Sequence, residues 1–194
     1  SIYYYPSNAI INPRWSVKNS QGGQVTNRIF GTAQLNYEYN DNLTFTYRYG
    51  LDWYNERNTA YSNKDGVDFT HAIFGYLNSY DNNVSVQTHY ASVNGNYDLS
   101  DEIGMSFVVG ATSQNRSYDR EGVGSTGQIV FGVLQHFNFE NQTPISFHGS
   151  KNTVGVFAST DLDYNDYLFV SLSARNDWVS NLPTENNSML YPSM

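Results

Sequence analysis

The stretch "RIFGTAQLNYEYNDNLTFTYRYGLDWYN", residues 28–55, alternates with a period of two on both sides of a short polar break. In the first run Ile29, Gly31, Ala33, Leu35, Tyr37 and Tyr39 share one side, and Phe30, Thr32, Gln34, Asn36 and Glu38 the other. After Asn40-Asp41-Asn42 the second run sets Leu43, Phe45, Tyr47, Tyr49, Leu51 and Trp53 against Thr44, Thr46, Arg48, Gly50 and Asp52. Successive side chains of an extended chain point to opposite faces, so two such runs across an Asn/Asp break predict an antiparallel hairpin.

The device recurs twice. "THYASVNGNYDL" (88–99) and "IGMSFVVGATSQNR" (103–116) flank "SDE", and "TVGVFASTDLDY" (153–164) and "YLFVSLSARNDW" (167–178) flank "ND". Three hairpins give roughly six strands, or eight if segments such as "QIVFGVLQHFNFE" also pair. Between the hairpins, residues 58–83 and 118–150 are rich in Gly, Asn, Asp and Ser and read as long loops. Short and long connections therefore alternate, which places all the short ones at one end of the sheet. Soluble sandwiches usually mix their loop lengths, whereas outer-membrane barrels pair short periplasmic turns with longer outer loops.

Composition narrows the classes. Aromatic residues make up 16% of the chain, 17 of them Tyr, and suit pleated surfaces that are partly wet. Charged residues are only 14%, below the roughly 25% of ordinary soluble domains. A net charge of −8 argues against nucleic acid as a partner. The absence of cysteine excludes disulfides and thiolate metal sites. No apolar run approaches the ~20 residues of a spanning helix, and "SIYYYPSNAI" carries no signal-peptide pattern.

Alternation alone does not say whether the apolar side meets a core or lipid. Tyr37, Tyr39, Tyr97, Tyr164 and Tyr167 gather near the short turns, where an interfacial girdle belongs. The opposite side reads Thr, Gln, Asn, Ser, Arg and Asp along nearly every strand, as a water-filled lumen requires. On that reading Glu38, Arg48, Asp52, Arg116, Asp161, Asp163, Arg175 and Asp177 project into the lumen, as a hydrated charge lattice or as substrate contacts. Six lipid-facing strands cannot close, because open edges are not tolerated in hydrocarbon. The expected fold is all-β: an antiparallel meander of long strands forming part of a transmembrane outer-membrane barrel.

The segment "LFVSLSARNDWVSNLPTENNSMLYPS" resembles a late-barrel signature of SusC/RagA-type TonB-dependent transporters. The matching positions are Arg175, Asn176, Asp177, Trp178, Ser180, Leu182, Pro183, Asn186, Asn187, Ser188, Tyr191, Pro192 and Ser193. Val179 and Leu190 depart mildly from that pattern. "INPRWSVKNS" and the strands after it, with "HYASVNGNYDLSDEIGMSFVVGAT", are similar to other parts of that family. The resemblance implies a 22-stranded barrel with a plug; residues 1–194 show neither plug nor TonB-box and are expected to be an internal part of that longer barrel. It further implies an importer of oligosaccharides or peptides in the outer membrane of a Gram-negative bacterium. Its partners would be a SusD-like surface lipoprotein, TonB acting through the plug, and outer-membrane lipid. The rival readings are a self-contained soluble β-sandwich that binds carbohydrate, or a small adhesin barrel.

Other chemistry is sparse. "DLDYNDY" places Asp161, Asp163, Asn165 and Asp166 like the start of a calcium loop, but Asp166 stands where Gly is needed and Leu172 where Glu is needed, so a turn is expected. His71, His89, His136 and His148 have no metal-ligand spacing; three fall in the long loops and His89 at a strand's outer end. No nucleophile elbow, phosphate loop or paired-carboxylate arrangement is present, and neither an enzyme, a cofactor nor a metal is expected. The long-loop aromatics Trp15, Tyr61, Phe69, Phe74, Tyr76, Tyr80, Phe131, Phe137, Phe139 and Phe147 are expected to pack among the loops, ahead of covering a partner or stacking on a ligand.

Overall fold

A computed structural model describes residues 11–67, 70–165, 167–183 and 185–194. The opening segment, Phe69 and Asp166 lie outside them. The described chain is one antiparallel meander of seven strands in sequence order: β1 Ser20–Asn40, β2 Leu43–Ser62, β3 Tyr76–Ser100, β4 Ile103–Gln128, β5 Phe139–Tyr164, β6 Leu168–Val179 and β7 Ser188–Ser193. Two short helices, α1 Pro13–Asn19 and α2 Thr70–Phe74, precede β1 and β3. α1 starts where Asn12 caps it, its side chain accepting from the Arg14 amide at 3.0 Å ahead of Pro13, whose missing N–H costs nothing there.

The three short turns fall where the alternation breaks: between β1 and β2, β3 and β4, and β5 and β6. Asn165 in the last of them takes φ 50°, a left-handed conformation that Asn tolerates. The long stretches are a correction. Residues 58–83 and 118–150 are mostly strand, since β2 runs to Ser62, β3 starts at Tyr76, β4 runs to Gln128 and β5 starts at Phe139. Their Gly, Asn and Ser content disfavours strands intrinsically, but pairing on both sides supplies the backbone hydrogen bonds, and context overrides propensity. "QIVFGVLQHFNFE" is a connection with a single 3₁₀ turn at His136–Asn138 rather than an extra strand pair. His89 sits inside β3, not at its end, and His148, Tyr61, Tyr76, Tyr80, Phe139 and Phe147 lie on strands.

The chain divides into two compact units. Of the described residues, the first holds those within 11–28, 54–84 and 118–149, and the second those within 29–53, 85–117 and 150–194. The first unit has a small core of its own, in which Ala72, Leu77, Val84 and Phe139 are buried. Side-chain amides pin its connections. Asn138 donates to the carbonyls of Val130 (2.8 Å) and Val133 (2.9 Å) and accepts from the Val130 amide (3.1 Å). Gln128 accepts from the Lys64 amide at 2.9 Å and donates to Asn63 Oδ1 at 3.0 Å.

The second unit contains none of those buried apolar residues. Leu35 is 67% exposed, Phe45 41%, Val109 51% and Leu172 42%, with no layer packed over them among the described residues. Register fixes the two faces. Val154 pairs with Trp178, Ala158 with Ala174, Thr160 with Leu172 and Leu162 with Val170 on the apolar side. Gly155 pairs with Asp177, Phe157 with Arg175, Ser159 with Ser173 and Asp161 with Ser171 on the polar side.

Candidate functional site on the polar face

Two glycines organise the polar face of the second unit. A Cβ on Gly110 would stand 2.5 Å from the Phe157 ring and 2.6 Å from the Ala91 carbonyl, so only a bare backbone lets that ring lie across β4. Phe157 of β5 thereby meets Tyr90 of β3, two strands away, with ring centroids 5.7 Å apart and planes 27° from parallel. Gly155 does the same for β5: its missing Cβ leaves room for Arg175, Asp177 and Thr112 to meet over it.

A guanidinium bounds the stack at each end. Arg48 lies over Tyr90 at 5.4 Å, and its Nε donates to Gln34 Oε1 at 2.9 Å. Arg175 lies 6.0 Å from the Phe157 centroid. Its Nε donates to both Asp177 oxygens at 3.0 and 2.9 Å, and Nη2 to Thr112 Oγ1 at 3.0 Å. The Arg175–Asp177 pair is self-neutralised and half-buried. Arg48 is exposed and has no carboxylate partner among the described residues.

The eight residues expected in the lumen thus separate. Arg48, Arg175 and Asp177 join one row. Asp161, which accepts from Ser171 Oγ at 2.5 Å, and Asp163 line a second polar recess of about 560 Å³ with Asn42, Asn96, Asp98 and Ser106 near the short turns. Asp161 lies four residues along β5 from Phe157, about 13 Å at strand rise, so the recess and the row are distinct. Glu38 and Arg116 stand exposed elsewhere on β1 and β4, and Asp52 is half-buried on β2.

The motif residues acquire a geometry. Arg175 pairs with Tyr191, Ala174 with Pro192 and Ser173 with Ser193, so the two ends of the motif are the two strands of one hairpin. Leu182 and Pro183 lie in its connection, where the Asn186 amide donates to the Pro183 carbonyl at 2.9 Å. Asn176 accepts from Ser188 Oγ at 3.1 Å, and Trp178 stands on the apolar face.

Gln34, Tyr90, Thr112, Phe157 and the two glycines were not singled out from the sequence. The available signal was a lone Gly at a polar position of an alternating strand, which marks a close approach. The histidines are engaged by neighbours. His71 meets the edge of Tyr76 at 5.1 Å, His89 lies 2.8 Å from the Tyr47 hydroxyl, His136 lies 2.5 Å from Ser79 Oγ and 2.8 Å from Ser125 Oγ, and His148 contacts Asp119. No group of three or more His, Cys, Asp or Glu residues among those described could hold a metal ion.

No protein-family profile and no curated protein matches the sequence. Among solved structures the chain is similar to one described as the RagAB peptide transporter, with a TM-score of 0.85 at 12% identity over 98% of this chain and 22% of that one. It is similar also to the RagAB peptide importer in its "open-open" state (TM-score 0.84, 12% identity, 98% and 21%) and its "closed-closed" state (0.85, 12%, 98% and 22%). The chain therefore shares the fold of a stretch of those proteins and spans about a fifth of their length.

Proposed function

We propose, from that shared fold, that the chain is part of the wall of an outer-membrane β-barrel that imports bulky nutrients. Its apolar face would meet lipid and its polar face a water-filled passage. One observation carries the reading: the second unit's apolar face is exposed, bare and bounded by aromatic residues at both ends. Tyr164 and Tyr167, 45% and 85% exposed, mark the short-turn end, and Trp178, 39% exposed, marks the other.

The dimensions support it. Tyr164 pairs with Leu168 and Val154 with Trp178, so ten residues separate the two aromatic rows on β5. At strand rise that is about 33 Å, or about 23–27 Å across the membrane at the usual tilt, against a lipid-facing band of ≈25 Å in known barrels. A soluble sandwich would need a second layer over Leu35, Phe45, Val109 and Leu172.

The SusC/RagA resemblance adds finer readings: substrates that are oligosaccharides or peptides, a SusD-like lipoprotein lid, and energy from TonB through a plug. The polar row and recess would then be lumen lining rather than a site of bond chemistry.

The test is reconstitution of the intact protein in lipid vesicles with bromine placed at defined acyl depths. Trp53 and Trp178 are expected to be quenched most by the shallow labels. A protein that stays soluble and monomeric without detergent, with unquenched Trp178, overturns the membrane reading and favours the soluble sandwich.

A further inference from the structure

Four arginines in the described structure lie over aromatic rings: Arg28 over Tyr54, Arg48 over Tyr90, Arg120 over Tyr80 and Tyr118, and Arg175 over Phe157. Comparing the last three separates two roles. Arg175 is answered by Asp177. Arg48 and Arg120 are not, and the two are built alike. Arg120 of β4, in the first unit, is half-buried between Tyr80 and Tyr118, whose centroids lie 4.9 and 5.7 Å from its Cζ. Its Nε donates to Asn82 Oδ1 at 2.8 Å, the same oxygen that accepts from the Tyr118 hydroxyl at 3.0 Å. Asn82 is 6% exposed and turns its amide nitrogen to Glu56 Oε2 at 3.1 Å, so the nearby carboxylate is taken by the amide rather than by the guanidinium. Arg48, in the second unit, repeats the pattern with Gln34 as the amide and Tyr90 as the ring.

In both cases a neutral amide oxygen fixes Nε beside an aromatic ring, while the terminal nitrogens have no counter-charge among the described residues. Leaving a half-buried cation such as Arg120 unpaired is unfavourable. In both residues a guanidinium already fixed by its neighbours has lost part of the freedom it would otherwise lose on binding. Its terminal nitrogens match a planar two-oxygen anion. The chain as a whole carries −8, which repels polyanions, so the fitting ligand has one or few negative charges. Tyrosine faces beside the fork accommodate the uncharged remainder.

We infer that Arg120 and Arg48, each within its own unit, are receptors for a carboxylate group on a solute that reaches the polar side of their strands. The inference deepens the proposed function, because it rests on the polar face being wet and names a class of solute.

The test uses the intact protein in detergent micelles. Binding of a tripeptide with a free C-terminal carboxylate is compared with that of its C-terminal amide, with inorganic phosphate as a competitor. The wild type is expected to prefer the carboxylate by about tenfold, in line with a charge-assisted bidentate contact. Arg120→Gln and Arg48→Gln are each expected to reduce that preference severalfold, and Arg120→Lys to restore it only in part, since it returns the charge without the fork. Arg57→Gln, at an exposed arginine paired with Asp81, is expected to leave the preference in place. Equal binding of acid and amide, an unchanged preference in both Gln variants, or displacement by phosphate at equal concentration overturns the inference. Heat-modifiable gel mobility of each preparation reports folding, so an unfolded variant is recognised and the other arginine carries the test. Vesicle insertion of the wild type reports the barrel reading separately.

Discussion

A glycine in the middle of a strand ordinarily weakens it, yet Gly110 and Gly155 are the positions on which the polar row depends. Gly110→Ala is expected to destabilise the folded protein by about 1–3 kcal/mol, because the new methyl meets the Ala91 carbonyl as well as a ring and the backbone cannot yield. Thermal or urea unfolding measures it. Asp177→Ala leaves Arg175 half-buried without its partner and is expected to cost about 1–2 kcal/mol by the same measurement, whereas Asp177→Asn, which keeps an acceptor, should cost less. At this scale the sequence was partly legible. Arg48, Arg175 and Asp177 could be placed on the polar face by parity alone. Their partners could not, because Tyr90 and Phe157 meet across an intervening strand, and period-two reading says nothing about a neighbour two strands away. Arg120 was missed because its segment read as loop.

At the level of elements the alternation located the three short turns and the two sides of the strand stretches beside them, within residues 28–55, 88–116 and 153–178. The adjacent pair Leu172 and Ser173 tests that assignment directly. Leu172 is 42% exposed on the apolar face opposite Thr160, near the middle of the aromatic-bounded band, and Ser173 faces the other way opposite Ser159. Leu172→Arg is expected to cost about 2–4 kcal/mol in a bilayer and Ser173→Arg little, as lipid-face and lumen positions behave. Folding yield into vesicles against urea reads the difference, and equal effects would sink the assignment. Where the alternation fades, in residues 58–83 and 118–150, strand continuity comes from pairing and from amide side chains that compositional reading counts as loop formers. Asn138→Ala removes three hydrogen bonds to the backbone around Val130 and Val133 at a site 6% exposed. It is expected to open the 129–138 connection, seen as faster amide exchange there, because buried backbone groups left unpaired cost about 1–3 kcal/mol each.

For the molecule as a whole, the two units differ in what sustains them. The first buries apolar side chains and satisfies its buried amides internally; the second holds its strands by backbone pairing and side-chain contacts on the polar face, and leaves its greasy side uncovered. Fold class was readable because periodicity, turn placement and the Tyr-rich ends agreed, whereas the extent of each strand depends on long-range pairing that no local window contains. The bare side has a consequence for biogenesis. Hydrocarbon would be a solvent this half of the chain requires, so in water its strands would gain too little to offset their ordering and would instead seek one another's flanks. Under the proposed function, secretion must deliver the chain unfolded and escorted, and acquisition of structure coincides with entry into the bilayer.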